Sequence, residues 1–218
     1  MNFYLLRQKD QKPNVWSGGK TYELFLFPPE ASYAKRNFSV RISQAVIEED
    51  KSTFTSLPGF HRVLMPLTGP IKLLFEEQGE KTVEPYQAVE FSGSWPCFSY
   101  GKCADFGIML GQGWRGKLSA IGPGDYTCNE RFTALYTLED GLQVFFKTGT
   151  MPNSNKINSE NKEFLHRGDF LLIEKTESQS ILSLKKEHPQ KSKLSYTAQE
   201  SGVINTANCA VMAQIWED

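Results

Sequence analysis

Apolar residues in this chain come in short runs, broken by Gly, Pro, Asn or Asp about every eight to twelve residues. Helical periodicity is nearly absent, so the pattern reads as strands joined by turns. Runs rich in Val, Ile, Phe, Leu and Tyr predict strands at 21–27, 38–47, 61–67, 71–77 and 105–110 in the first half. The second half adds 132–138, 142–148, 169–175, 180–186 and 209–217. Strands this short and this frequent predict an all-β chain, an antiparallel sandwich or barrel. Two turns stand out. "EDG" at 139–141 predicts a tight hairpin with Asp140 and Gly141 at positive φ, and "HRGD" at 166–169 predicts a turn ahead of a strand. The polar tract "MPNSNKINSENK" at 151–162 reads as a long mobile loop inside one sheet, not a linker. Residues 57–93 and 133–175 echo each other as strand, turn, strand, polar stretch, turn, strand. Two barrels in tandem joined around residues 111–130 explain the echo, and one large sandwich accommodates the same runs.

Composition narrows the function classes. Of 218 residues, 39% are hydrophobic and 22% charged, with a net charge of −1, so a core forms and nothing steers the chain to nucleic acid or an anionic membrane. No stretch approaches the roughly 18 apolar residues of a spanning helix. The start, "MNFYLLRQKDQKP", lacks the layout of a secretory signal. The four cysteines, Cys97, Cys103, Cys128 and Cys209, form no CxxC pair. Reduced, buried thiols and a cytoplasmic location are therefore expected.

"GQGWRG" at 111–116 matches a dinucleotide fingerprint, but "KLSAIGPGDYT" follows it and Gly-Pro-Gly ends any helix. A glycine-rich crossing between sheets is the better reading. His61, His166 and His188 are far apart, without HxH spacing, so no metal and no cofactor are expected. No GxSxG elbow is present, and no cysteine neighbours a histidine. In "VRISQAVI", Arg41, Ser43, Ala45 and Ile47 share one face, and Ile42, Gln44 and Val46 the other. Either the arginine face lines a pocket for a small anion, or Ile42 and Val46 enter the core and Arg41 meets water. His61 and Arg62 are adjacent on a strand, so they point to opposite faces and cannot act together without a bulge near Pro58-Gly59.

Four segments in order, "VWSGGKTYELFLFPP" (15–29), "RISQAVI" (41–47), "FTSLPGFHRVLMPLTG" (54–69) and "DFGIML" (105–110), resemble the HutD/Ves family. The matching positions include Trp16, Glu23, Arg41, Ser43, Pro58, Gly59, Arg62 and Asp105. The resemblance implies a cupin-type bicupin of two antiparallel β-barrels (double-stranded β-helices) in tandem, expected at 1–115 and 116–218. It implies a non-enzymatic protein binding a small anionic metabolite, formylglutamate- or urocanate-like, in histidine utilisation or a stress response. It also moves Arg41 to the pocket. The implied site is an anion clamp of Arg41 and Arg62, with Ser43 donating, Trp16 as an apolar wall, Glu23 (on a face with Thr21 and Phe25) orienting Arg41, and Asp105 nearby. The chain departs from the family pattern at Ser94 and Gly107, where aspartate and asparagine are usual, and at His61, where an acid is common. Two rival functions stay open: a metal-free isomerase or lyase using Asp105, Glu23 or His61 for proton transfer, and an interaction module whose cavity is packed core. Exposed sheet edges would suit a homodimer.

Overall fold

The computed structural model describes residues 2–148, 162–175, 180–186 and 208–218. The tract expected to form a mobile loop (apart from Lys162) and His188 lie outside them. The first strands are β1 (Asn2–Leu6), β2 (Pro13–Trp16), β3 (Gly19–Phe27), β4 (Val40–Ile47), β5 (Lys51–Thr53) and β6 (His61–Pro66). They are followed by β7 (Ile71–Phe75), β8 (Gly79–Val83), β9 (Val89–Ser92), β10 (Cys97–Tyr100) and β11 (Cys103–Leu110). Then come β12 (Trp114–Ile121), β13 (Gly124–Cys128), β14 (Phe132–Thr137) and β15 (Leu142–Thr148). The last are β16 (Lys162–Leu165), β17 (Phe170–Glu174), β18 (Ser180–Lys186) and β19 (Ala210–Glu217). All ten strands read from the apolar runs are present. The others are short or polar, as "KST" in β5 and "GEKTV" in β8 illustrate.

Four antiparallel sheets result. A six-stranded sheet, β2-β3-β4-β11-β6-β9, faces a four-stranded one, β5-β10-β7-β8. A five-stranded sheet, β1-β17-β14-β19-β12, faces another four-stranded one, β13-β18-β15-β16. Among the described residues hydrogen bonding does not run from a sheet to its facing partner, so each pair is a double-sheet jelly roll, the cupin-type double-stranded β-helix expected, with the two sheets left open at their edges. β1 bonds to β17 in the second pair, and β12 begins at Trp114.

Three cores follow from this layering. Ile47, Leu64, Ile71, Leu73, Phe75 and Phe91 fill one end of the first jelly roll. Leu135, Leu142, Val144, Leu171 and Leu182 fill the second. Between them the six- and five-stranded sheets pack back to back through Ile42, Val63, Phe106, Ile108, Phe132 and Phe170. The central strands are therefore buried on both faces. This resolves the two readings of "VRISQAVI": Ile42 and Arg41 are both buried, on opposite sides of β4.

Two turns differ from each other in outcome. Gly141 has φ +76°, whereas Asp140 does not enter the positive region. Moreover β14 lies between β17 and β19, so it has no free edge for β15, which joins the facing sheet. "EDG" is thus a crossing and not the hairpin expected. At "HRGD", Gly168 has φ +81° and the turn forms. The Asp169 carboxylate there accepts hydrogen bonds from the Gln8 and His166 amides and from Arg7 Nη1, tying the end of β1 to the second jelly roll. "GQGWRG" is a tight crossing from β11 to β12, between different sheets, with Gly113 at φ +79°. The four cysteines are free and buried. Among the described residues, no helix is long and apolar enough to cross a membrane.

Candidate functional site

Alternation on β4, β11 and β6 aims one set of side chains between the two sheets of the first jelly roll. Register arranges them in rows. Arg41, Met109 and Arg62 lie side by side, as do Ser43, Gly107 and Leu64, and then Ala45, Asp105 and Pro66. Successive rows are about 7 Å apart, two residues along a strand. The apolar core reaches these rows through Leu64 and Phe91 but does not fill the space over them. A cavity of about 370 Å³ remains, lined by Arg41, Ser43, Arg62 and Asp105, by Trp16 at one side, and by Ser52 and Ser99 from the facing sheet. That volume suits a small ligand.

Arg41 is 5% exposed. Its Nε donates to Glu23 Oε2 at 2.9 Å and its Nη1 to Ser43 Oγ at 3.1 Å, and its guanidinium lies 4.5 Å from the Tyr33 ring centre. A β-bulge makes this pairing possible. Glu23 pairs with Ser43 but Phe25 with Ile42, so one extra residue, Leu24, is inserted. Thr21 and Glu23 keep one face, and Phe25 is shifted to pack edge-on against Phe132 in the core between the jelly rolls, with ring centres 5.1 Å apart. The expected shared face of Thr21, Glu23 and Phe25 is broken there. Glu23 is half exposed and does not line the cavity; it holds Arg41 from the rim.

Arg62 is 4% exposed and has no carboxylate partner among the described residues. Its Nη2 donates to the Thr55 carbonyl, and its Nε is buried without an acceptor. The Phe54 and Phe91 rings flank it at 5.6 and 6.0 Å. Burial pushes its pKa below the ordinary value, and Arg41 acts in the same direction. The Pro58-Gly59 turn, with Gly59 at φ +85°, leads into β6 and is pinned by the Leu57 amide on the Gly93 carbonyl and the Gly93 amide on the Phe60 carbonyl. A Cβ on Gly93 would meet the Leu57 oxygen at 2.5 Å, so only glycine fits there. His61 lies on the opposite, exposed face, with Nε2 3.2 Å from Glu90 Oε2, and takes no part in the cavity.

At the inner end stands Asp105, 5% exposed, its pKa pushed up to about 7 by burial. Ser52 and Ser99 are paired residues of β5 and β10. Their hydroxyls are buried without partners. The sequence reading missed both, because three- and four-residue strands carry no apolar pattern. Trp16 donates from Nε1 to Thr21 Oγ1 at 3.1 Å. Its ring occupies the space where a Cβ on Gly18 would stand, 2.1 Å from Trp16 Cζ3 and 2.8 Å from Ser52 Oγ. The glycine pair after Trp16 was the available signal for that closeness.

Gly107 sits in the middle row, where a side chain would project into the cavity. A Cβ there meets only ordinary contacts, 3.5 Å from the Val63 oxygen and 3.7 Å from Leu64 Cδ1. Gly107→Ala should therefore raise stability by about 0.5–1 kcal/mol while it shrinks the cavity. Its melting temperature is expected to rise as its affinity for a small acid falls about tenfold; a fall in both would contradict this placement.

At the arginine end of the cavity Arg41 and Arg62 meet one carboxylate, that of Glu23, which leaves one guanidinium without a counter-ion among the described residues. The arrangement can grip a carboxylate. Among the described residues no group of three or more His, Cys, Asp or Glu is placed to hold a metal ion. A second depression of about 590 Å³, lined by Phe3, Phe25, Phe27 and Phe132, is apolar apart from Tyr4 and the acids Glu23 and Glu174, and offers an anion nothing.

No curated protein matches the chain by sequence. Among solved structures, a conserved protein of unknown function from Pseudomonas aeruginosa PAO1 superimposes with a TM-score of 0.74 at 16% identity, covering 100% of both chains. HutD from Pseudomonas fluorescens SBW25 does so with a TM-score of 0.68 at 16% identity, again over 100% of both. A cupin 2 conserved barrel domain protein from Leptotrichia buccalis covers 99% of this chain and 96% of its own at 8% identity, with a TM-score of 0.53. At these identities the likeness shows the fold alone, a cupin-type jelly roll. The HutD family model matches residues 8–190. On that match, and with this fold, the chain belongs to the HutD family.

Proposed function

We propose that the first jelly roll binds a small carboxylate without transforming it, as a sensor or accessory factor of the HutD type. The observation that carries this reading is Arg62, a buried guanidinium that faces a cavity and has no counter-ion among the described residues. An unpaired buried charge costs several kcal/mol, and a bound carboxylate bridging Arg41 and Arg62 offsets that cost. Ser43 and Glu23 hold Arg41, Trp16 walls one side, and Asp105 closes the inner end. Acids resembling formylglutamate or urocanate, in a cytoplasmic role in histidine utilisation or a stress response, suit such a site. A second reading, a metal-free isomerase or lyase, is favoured by Asp105 alone, whose elevated pKa suits proton transfer near neutrality. His61 gives that reading no support from its exposed face, and a cavity with buried polar groups counts against a merely packed core.

Titrating formylglutamate and urocanate calorimetrically, with product analysis in parallel, separates these. Saturable heat without turnover is expected. Turnover would sink the sensor, and no heat from either acid would remove both as ligands.

A further inference from the structure

The inner end of the cavity contains more polar chemistry than an anion clamp needs. Ser99 is 1% exposed and Ser52 8%, and among the described residues both hydroxyl oxygens lack a partner. No donor reaches the Asp105 carboxyl among the described residues; burial is the sole influence on its pKa. Buried polar groups are nearly always hydrogen-bonded, so three idle ones around a single space point to a missing partner. Gly107, the one interior position between this floor and the arginine row that lacks a side chain, keeps the passage open.

We propose, resting on the carboxylate reading above, that this floor selects acids carrying an N–H donor at the end remote from the carboxylate. Asp105 accepts that hydrogen. Ser52 and Ser99, each both donor and acceptor, satisfy a carbonyl or second N–H beside it. A purely apolar tail leaves all three groups unsatisfied, and above about pH 7, where Asp105 is ionised, a second carboxylate faces it with like charge. The spacing sets the ligand's length. The Arg41 guanidinium bonds Ser43 and so leans one row inward, and the Asp105 row lies about 7 Å further on. A chain of about five carbons spans that gap.

The test, run at about pH 8 so that Asp105 is ionised, uses three five-carbon acids that differ only at the far end: valerate, glutarate and glutaramate. Glutaramate should bind at least tenfold tighter than valerate, and glutarate no tighter than valerate. Asp105→Leu, isosteric and uncharged, should reduce the glutaramate advantage to within twofold. Should that variant not fold, the paired change Ser52→Ala with Ser99→Ala should cut the advantage at least threefold. Equal binding of the three acids, or an advantage that survives these changes, overturns the selective floor. If the acids bind equally and Arg62→Met weakens all of them, the carboxylate reading stands and only the floor falls. If none of the three binds, both fall.

Discussion

Arg62→Met is expected to make the empty protein more stable and to abolish its affinity for small acids. Stability and function oppose each other at this position because the guanidinium is 4% exposed and, among the described residues, lacks an anionic partner and leaves Nε buried without an acceptor. Exchanging a buried charge for a hydrophobic side chain of similar volume is commonly neutral or favourable. The rings of Phe54 and Phe91 flank the guanidinium and would pack against the thioether instead. The lost hydrogen bond to the Thr55 carbonyl subtracts about 1 kcal/mol. A net gain of about 1–3 kcal/mol in urea unfolding is expected. Carboxylate binding should weaken by at least a hundredfold, the worth of a charge-assisted bidentate contact in a water-poor site. A destabilised variant would mean that Arg62 is structural.

Asp105→Asn should remove a pH dependence of stability. The ordinary carboxyl value is 3.8 and burial raises that of Asp105 to about 7. Between these values the folded chain holds a proton that the unfolded chain has released. Stability from this group is therefore full below about pH 4, falls as pH rises towards 7, and is level above. At 1.36 kcal/mol per pKa unit the loss is on the order of 4 kcal/mol. Urea unfolding at pH 4.5, 6 and 7.5 should show the stability difference between Asp105→Asn and the wild type growing in the variant's favour by that order. Parallel profiles would show that Asp105 is not a buried, raised carboxyl. Because most other titrating groups are common to both proteins, their contributions cancel in the difference.

Much of this was legible in the sequence, for identifiable reasons. Apolar runs located the strands with buried faces, and a period of two was enough to separate His61 from Arg62. The same period could not tell which face of β4 the core takes, since both are buried; the family resemblance decided Arg41. Composition gave no sign of the bulge after Glu23, because no glycine marks it. The serine floor was hidden for another reason. Ser52 and Ser99 come from β5 and β10, which form only by pairing within the facing sheet. "WRGKLSAI" carries no apolar strand signal because β12 is an edge strand whose polar side chains include exposed Arg115 and Lys117. The "EDG" hairpin failed because tertiary pairing had already occupied both edges of β14.

The central claim is that a carboxylate completes the Arg41–Arg62 pair. A crystal structure of the protein grown with glutaramate or urocanate tests it most directly. The predicted result is a carboxylate bridging the two guanidinium groups at hydrogen-bonding distance, with Arg41 still held by Glu23 and Ser43. A ligand seated elsewhere, or a saturated crystal whose arginine row contacts only water, would contradict it.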